Sequence, residues 1–189
     1  DASSNLQKNR NLSFQTELYE FAAGVEFNYV PYQTGHRKHK ISPYIFAELG
    51  VFRINPNIEF NGELIALQPL GTEGQGSSLS SKGLYSKTQF AIPIGLGLKA
   101  SLSKNITFNI EYTLRKTFTD YIDDVGGNRY LDREELSAAN GPLVAELSNR
   151  SINESASGVR GNSSTKDWYF SCSAGLSIRL GNPDRCFHH

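Results

Sequence analysis

The sequence predicts an all-β fold: an antiparallel up-and-down transmembrane β-barrel of eight strands, with the N-terminal strands absent from this chain. Three observations predict it. First, alternate residues of the last segment read Trp168, Phe170, Cys172, Ala174, Leu176, Ile178 and Leu180, while those between them read Tyr169, Ser171, Ser173, Gly175, Ser177 and Arg179. A period of two sustained over this length is a strand with a different environment on each side. The same split recurs in at least four segments. Second, the polar faces are not lined with the Lys and Glu of an ordinary wet surface; they hold Gly, Ala and Ser with a few single charges, which suits a narrow, filled lumen. Third, the connections alternate short and long, at residues 30–41, 53–87, 101–105 and 116–166. In an up-and-down barrel the short ones share the periplasmic end and the long ones the extracellular end.

Residues 1–15 are polar and read as a lead-in. The first strand covers about residues 17–29, with Tyr19, Phe21, Ala23, Val25, Phe27 and Tyr29 on the apolar face and Glu20, Ala22, Gly24, Glu26 and Asn28 opposite. Pro31 and the polar stretch 33–40 make a turn. A second strand, about 43–53, sets Ile45, Ala47, Leu49 and Val51 against Tyr44, Phe46, Glu48, Gly50 and Phe52; its alternation is weaker. The connection that follows holds a short strand near residues 58–67, then a run of glycines and a proline that excludes regular structure. The third strand, 88–101, alternates Phe90, Ile92, Ile94, Leu96, Leu98 and Ala100 with Gln89, Ala91, Pro93, Gly95, Gly97 and Lys99. Ser103, Lys104 and Asn105 form a tight turn. The fourth strand sets Ile106, Phe108, Ile110, Tyr112 and Leu114 against Thr107, Asn109, Glu111, Thr113 and Arg115. A second long connection, about 120–166, is rich in Asp, Asn, Ser and Gly. The fifth strand, 167–180, closes the domain at about residue 181, and residues 182–189 are a tail ending in His188-His189, as a tag remnant would.

Composition sets the outer limits. The length suffices for one domain with a core, and zero formal net charge gives no sign of a nucleic-acid partner. No run of about 18 apolar residues is present, so no transmembrane helix is expected; only alternate residues of a barrel strand need face lipid. Cys172 and Cys186 have no metal or redox spacing. Alternation by itself fits both a soluble β-domain, with the apolar face inside, and a membrane barrel, with that face in lipid. The polar-face composition and the loop order favour the barrel, in which Phe21, Ile92, Phe108 and Leu176 meet hydrocarbon. Five strands with the last one running toward the periplasm leave an odd number of strands missing from the front, and three would complete eight.

Certain blocks carry a resemblance. Pro43-Tyr44-Ile45-Phe46 through Gly50-Val51-Phe52-Arg53-Ile54-Asn55-Pro56, the run Gln68 to Gly76, Arg115 through Val125, Leu147-Ser148-Asn149-Arg150-Ser151 and Asp167-Trp168-Tyr169-Phe170 resemble the PorG-like outer-membrane barrels of Bacteroidetes. The similarity spans about residues 10–180. It implies further N-terminal strands, an outer-membrane location in a Gram-negative bacterium, and no enzymatic activity. It also implies a scaffold for type IX protein secretion and gliding, contacting the periplasmic PorK–PorN ring lipoproteins. The alternative is a free-standing small barrel with an adhesive or lipid-modifying role in its outer loops.

Candidate sites follow from charge and loop chemistry. Glu26, Glu48, Lys99, Glu111, Arg115 and Arg179 fall on lumen faces, where Arg115 and Arg179 are expected to pair with Glu26, Glu48 or Glu111. His36, Arg37, Lys38, His39 and Lys40 form a basic periplasmic turn that could dock an acidic partner or lipid head groups, against the plainer reading of a solvated charge run. Gln68, Pro69, Leu70, Gly71, Thr72, Glu73, Gly74, Gln75 and Gly76 belong at the extracellular mouth, as a self-packed loop or as a surface that lets a partner's backbone approach. Asp120, Asp123, Asp124 and Asp132 do not match an EF-hand spacing, so no metal is expected. There is no Gly-x-Ser-x-Gly elbow, P-loop or His-Glu-x-x-His, so neither catalysis, cofactor nor small-molecule substrate is expected. Outer-membrane lipid is the other expected partner.

Overall fold

The structure, a computed structural model, describes residues 14–35, 39–127, 129–150, 160–161 and 166–180. Most of it is antiparallel β-sheet. The strands are β1 (Gln15–Asn28), β2 (Ile41–Phe60), β3 (Glu63–Ala66), β4 (Thr88–Ser101), β5 (Ile106–Thr117) and β6 (Trp168–Ile178), with two helices, α1 (Arg133–Asn140) and α2 (Pro142–Ser148), between β5 and β6. They form one sheet in the order β1-β2-β4-β5-β6, with β3 paired to β2 off that path. Among the described residues the sheet is not closed, and β1 and β6 are its edges. Among the described residues no helix is long and apolar enough to cross a membrane.

The chain divides into two compact units. The strand unit holds Ala22–Gly50, Ala91–Lys116 and Trp168–His189; the connection unit holds Asp1–Phe21, Val51–Phe90 and Thr117–Asp167. In the strand unit the two faces of the sheet separate by residue number. Phe27 (65% exposed), Leu49 (74%), Leu96 (59%) and Phe170 (68%) lie open, whereas Ser42, Tyr44, Ala91 and Thr107 are buried. Glycines on β4 make room for rings on β2: a Cβ at Gly97 would collide with the Tyr44 ring, and one at Gly95 with the Phe46 ring. The two aromatics are therefore received on the inner face. Strand β6 pairs antiparallel with β5 from Ile106↔Ile178 to Lys116↔Trp168.

In the connection unit β2 continues past the expected limit at residue 53, through Pro56, to Phe60. The Pro56 carbonyl still serves the ladder, accepting the Leu67 amide at 2.9 Å. Asn61 (φ 52°) and Gly62 (φ 82°) then turn the chain tightly into β3. A two-residue Asn-Gly turn with both φ positive matches the right-handed twist of the flanking strands. The expected connection 53–87 is thus partly a hairpin. Within the glycine-rich run, Gln68–Leu70 forms a short 3-10 turn where no regular structure was expected, and Gly71 ends it in the left-handed region.

The long connection between β5 and β6, read from sequence only as rich in Asp, Asn, Ser and Gly, contains both helices. Asp132 caps α1, its carboxylate accepting the Glu134 and Glu135 amides at 2.9 and 3.1 Å. Gly141 ends α1, and Pro142 starts α2 at a position where a missing N–H costs nothing. Their buried faces build a small apolar core. Leu136, Val144 and Ala145 pack with Leu70, Leu79 and Leu131, and Leu147 packs with Ile58 and Leu67.

Candidate functional site

Of the expected lumen charges, Lys99 forms an ion pair with Glu26. The Lys99 ammonium also lies 4.4 Å from the centre of the Tyr44 ring, a favourable cation–π distance. Tyr44 donates its hydroxyl proton to Glu111, and the Ser173 hydroxyl reaches the same carboxylate at 3.4 Å. Arg115 donates to Ser171 at 2.6 Å and stacks 5.3 Å from the Tyr169 ring centre. Arg179, expected to meet a carboxylate, donates instead to the Thr34 carbonyl at 3.3 Å. Glu48 lines the same inner hollow as Glu26, Glu111 and Arg115. Five of the six residues, Glu26, Glu48, Lys99, Glu111 and Arg115, therefore share one inner region.

The connection between β1 and β2 turns across the end of the inner face. Tyr32 and Thr34 both reach the Thr107 hydroxyl, at 2.6 and 3.0 Å, and the Gly35 amide donates to Ser101 at 2.8 Å. Of the basic turn, His36, Arg37 and Lys38 lie outside the described residues; His39 and Lys40 are exposed.

In the connection unit the run from Gln68 to Gly76 is buried through its centre and packs on its own chain. Gln68 donates to the Tyr85 carbonyl (2.9 Å), and Asn140 donates to the Leu70 carbonyl (3.1 Å). Thr72 donates to Asp124 (2.6 Å), and Tyr85 donates to the other oxygen of that carboxylate (2.6 Å). Arg160, itself buried, donates to Thr72 at 2.8 Å and stands 3.4 Å from Glu73. Glu73 in turn accepts the Gly126 amide at 3.1 Å. A charge removed from water needs this many partners, because unpaired it would cost several kcal/mol.

Burial raises the Asp124 carboxyl above its ordinary range, and the bonds from Thr72 and Tyr85 and the Arg160 charge pull it back. Burial and the charge of Asp167 push Asp123 up to about 6. Burial, then the Asp124 charge, drive the Tyr85 phenol well above its usual value. The four acids considered for calcium do separate work. Asp132 caps a helix, Asp124 holds Thr72 and Tyr85, Asp123 accepts the Val125 amide, and Asp120 pairs with Lys166 at 2.6 Å. Among the described residues no group of three or more His, Cys, Asp or Glu could hold a metal ion.

The sequence reading missed Asp124, Arg160, Tyr85 and Tyr121 as members of one cluster. Thr72 and Asp124 are 52 residues apart, and Thr72 and Arg160 are 88 apart, so no local spacing could reveal it. The chain matches no family model, no curated protein and no solved structure, and its function has to be read from its own geometry.

Proposed function

We propose that the protein is an outer-membrane β-barrel that acts as a non-enzymatic anchor for a periplasmic protein-secretion complex. The observation that carries the membrane reading is the inverted sidedness of the strand unit. Large apolar side chains such as Phe27, Leu49, Leu96, Phe170 and Leu176 are open on one face, while Ser42, Thr107 and Thr113 are buried on the other. A soluble monomer rarely exposes a contiguous apolar patch beyond a few hundred Å², at roughly 25 cal/mol for each Å² left in water. In lipid the same face carries no such cost. Tyr29 after β1 and Trp168 at the start of β6 are both exposed and belong to opposite strand ends, where amphipathic rings suit the two membrane interfaces.

Closing an eight-stranded barrel requires three further strands between the edges β1 and β6. The inner face supports an anchor rather than a channel: Tyr44 and Phe46 occupy it, and Tyr32 and Thr34 lie across its end. A small barrel is filled by its own side chains. The resemblance to PorG-like barrels extends the proposal to type IX secretion, with the turn 36–40 facing a PorK–PorN-type ring.

The test is purification of the native protein from membranes with and without detergent, followed by identification of co-eluting proteins. Extraction only in detergent together with periplasmic ring lipoproteins is expected. Replacing His36, Arg37 and Lys38 by Ser should weaken that association. A monodisperse product obtained without detergent would overturn the membrane reading; a detergent-extracted barrel that never brings down a ring component would overturn the anchoring role alone.

A further inference from the structure

The connection unit contains a cleft of about 380 Å³ that the anchoring role does not use. Its walls include Tyr85, Tyr121, Phe118, Asp120, Lys82 and Lys166. We propose that this cleft is a saccharide-binding site, taking one ring of a neutral or uronic glycan.

The aromatic wall is rigid. The Tyr85 and Tyr121 rings stack with centroids 4.5 Å apart and planes within 6°, and the Tyr85 hydroxyl is anchored on Asp124. Phe118 lines the same cleft and stands 53% exposed. A pyranose presents a flat face of C–H bonds to such rings and a rim of hydroxyls that both donate and accept.

The polar groups match that rim. Asp120 is 8% exposed, yet its Oδ1 has no hydrogen-bond partner among the described residues, while Oδ2 accepts from Lys166. A buried acceptor left unsatisfied is costly, and a ligand hydroxyl would supply the missing hydrogen bond. The ammonium groups of Lys82 and Lys166 donate to hydroxyl or carboxylate oxygens. Two ammonium groups against one carboxylate disfavour an amino sugar. The volume is that of small-ligand sites, and the lining is more polar than apolar, as a hydroxyl-rich ligand requires. The proposal stands on the connection unit alone, and its failure would leave the lipid-facing reading untouched.

The experiment is ligand-observed NMR on the full chain in detergent. Oligosaccharides of glucose, mannose, galactose and glucuronate are compared with a glucosamine oligomer. Saturable binding by a neutral or uronic member is expected, weakened at least fivefold by Phe118→Ala and by Asp120→Asn. Because Phe118 is exposed, its replacement leaves the fold intact, and unchanged amide spectra would verify this. No saturable binding by any of the panel overturns the site. So does binding that neither variant weakens, or a preference for the glucosamine oligomer.

Discussion

Leu49 and Leu136 are the same side chain in opposite circumstances. Leu49, in the strand unit, is 74% exposed on β2; Leu136, in the connection unit, is 1% exposed on the buried side of α1. The helices bury their apolar residues as any protein in water does, around Leu136, Val144 and Ala145. The strand unit leaves Phe27, Leu49, Leu96 and Phe170 open on one face and buries Ser42, Thr107 and Thr113 on the other. On the proposed membrane reading, one chain obeys the hydrophobic effect in both places because its two units meet two solvents. Apolar sidedness thus records the surroundings of each unit, and it can be probed separately in each.

The largest effect belongs to the connection unit. Arg160→Met removes the guanidinium from buried Glu73 and Thr72 and should cost about 3–5 kcal/mol, seen as a lowered denaturation midpoint; an unchanged midpoint would break the account of this unit. Next comes a matched pair. Leu136→Ala should cost about 2–5 kcal/mol, while Leu49→Ala in detergent should cost under about 1 kcal/mol, since detergent tails replace the lost contacts. Equal losses would erase the contrast. Leu49→Lys sharpens it further, because a lysine in lipid should disfavour insertion by about 2–4 kcal/mol, measured as refolding yield into vesicles; improved solubility without detergent would point the other way.

Gly97→Ala should destabilise the strand unit by about 1–3 kcal/mol through the Tyr44 ring, and Tyr44→Ser in the same chain should relieve most of that. A further effect is on pH. The Asp123 carboxyl titrates at about 6 when folded, above the ordinary value of about 3.9. The folded state therefore holds a proton that the unfolded chain has already released, and stability falls as pH rises from about 4 to 6. Asp123→Asn should gain on the order of 2 kcal/mol at pH 7 and nothing near pH 3.5, measured by denaturant titration at both values.

The strands and their faces were legible because a period of two survives without knowledge of partners. The alternation at Phe90, Ile94, Leu96 and Leu98 reappears as exposure on β4. The extension of β2 was hidden by Asn55-Pro56-Asn57, which reads as a breaker, although Asn61-Gly62 is a strong hairpin signal. Asp132 before Glu134 and Glu135, with Pro142 at the next start, could likewise have marked the helices. The Arg160 cluster and the aromatic cleft had no local signature, since their members meet only after the long connections fold.

The two rings seated at glycines also key the alignment of β2 against β4. Sliding one strand past the other by two residues preserves every inside-outside preference, so alternation alone cannot forbid it. Such a slip would set the Phe46 ring against Pro93, or Tyr44 against Lys99, where no notch exists. Gly95 and Gly97 thus act as paired notches that admit two bulky teeth in a single position, and misaligned forms are rejected by shape.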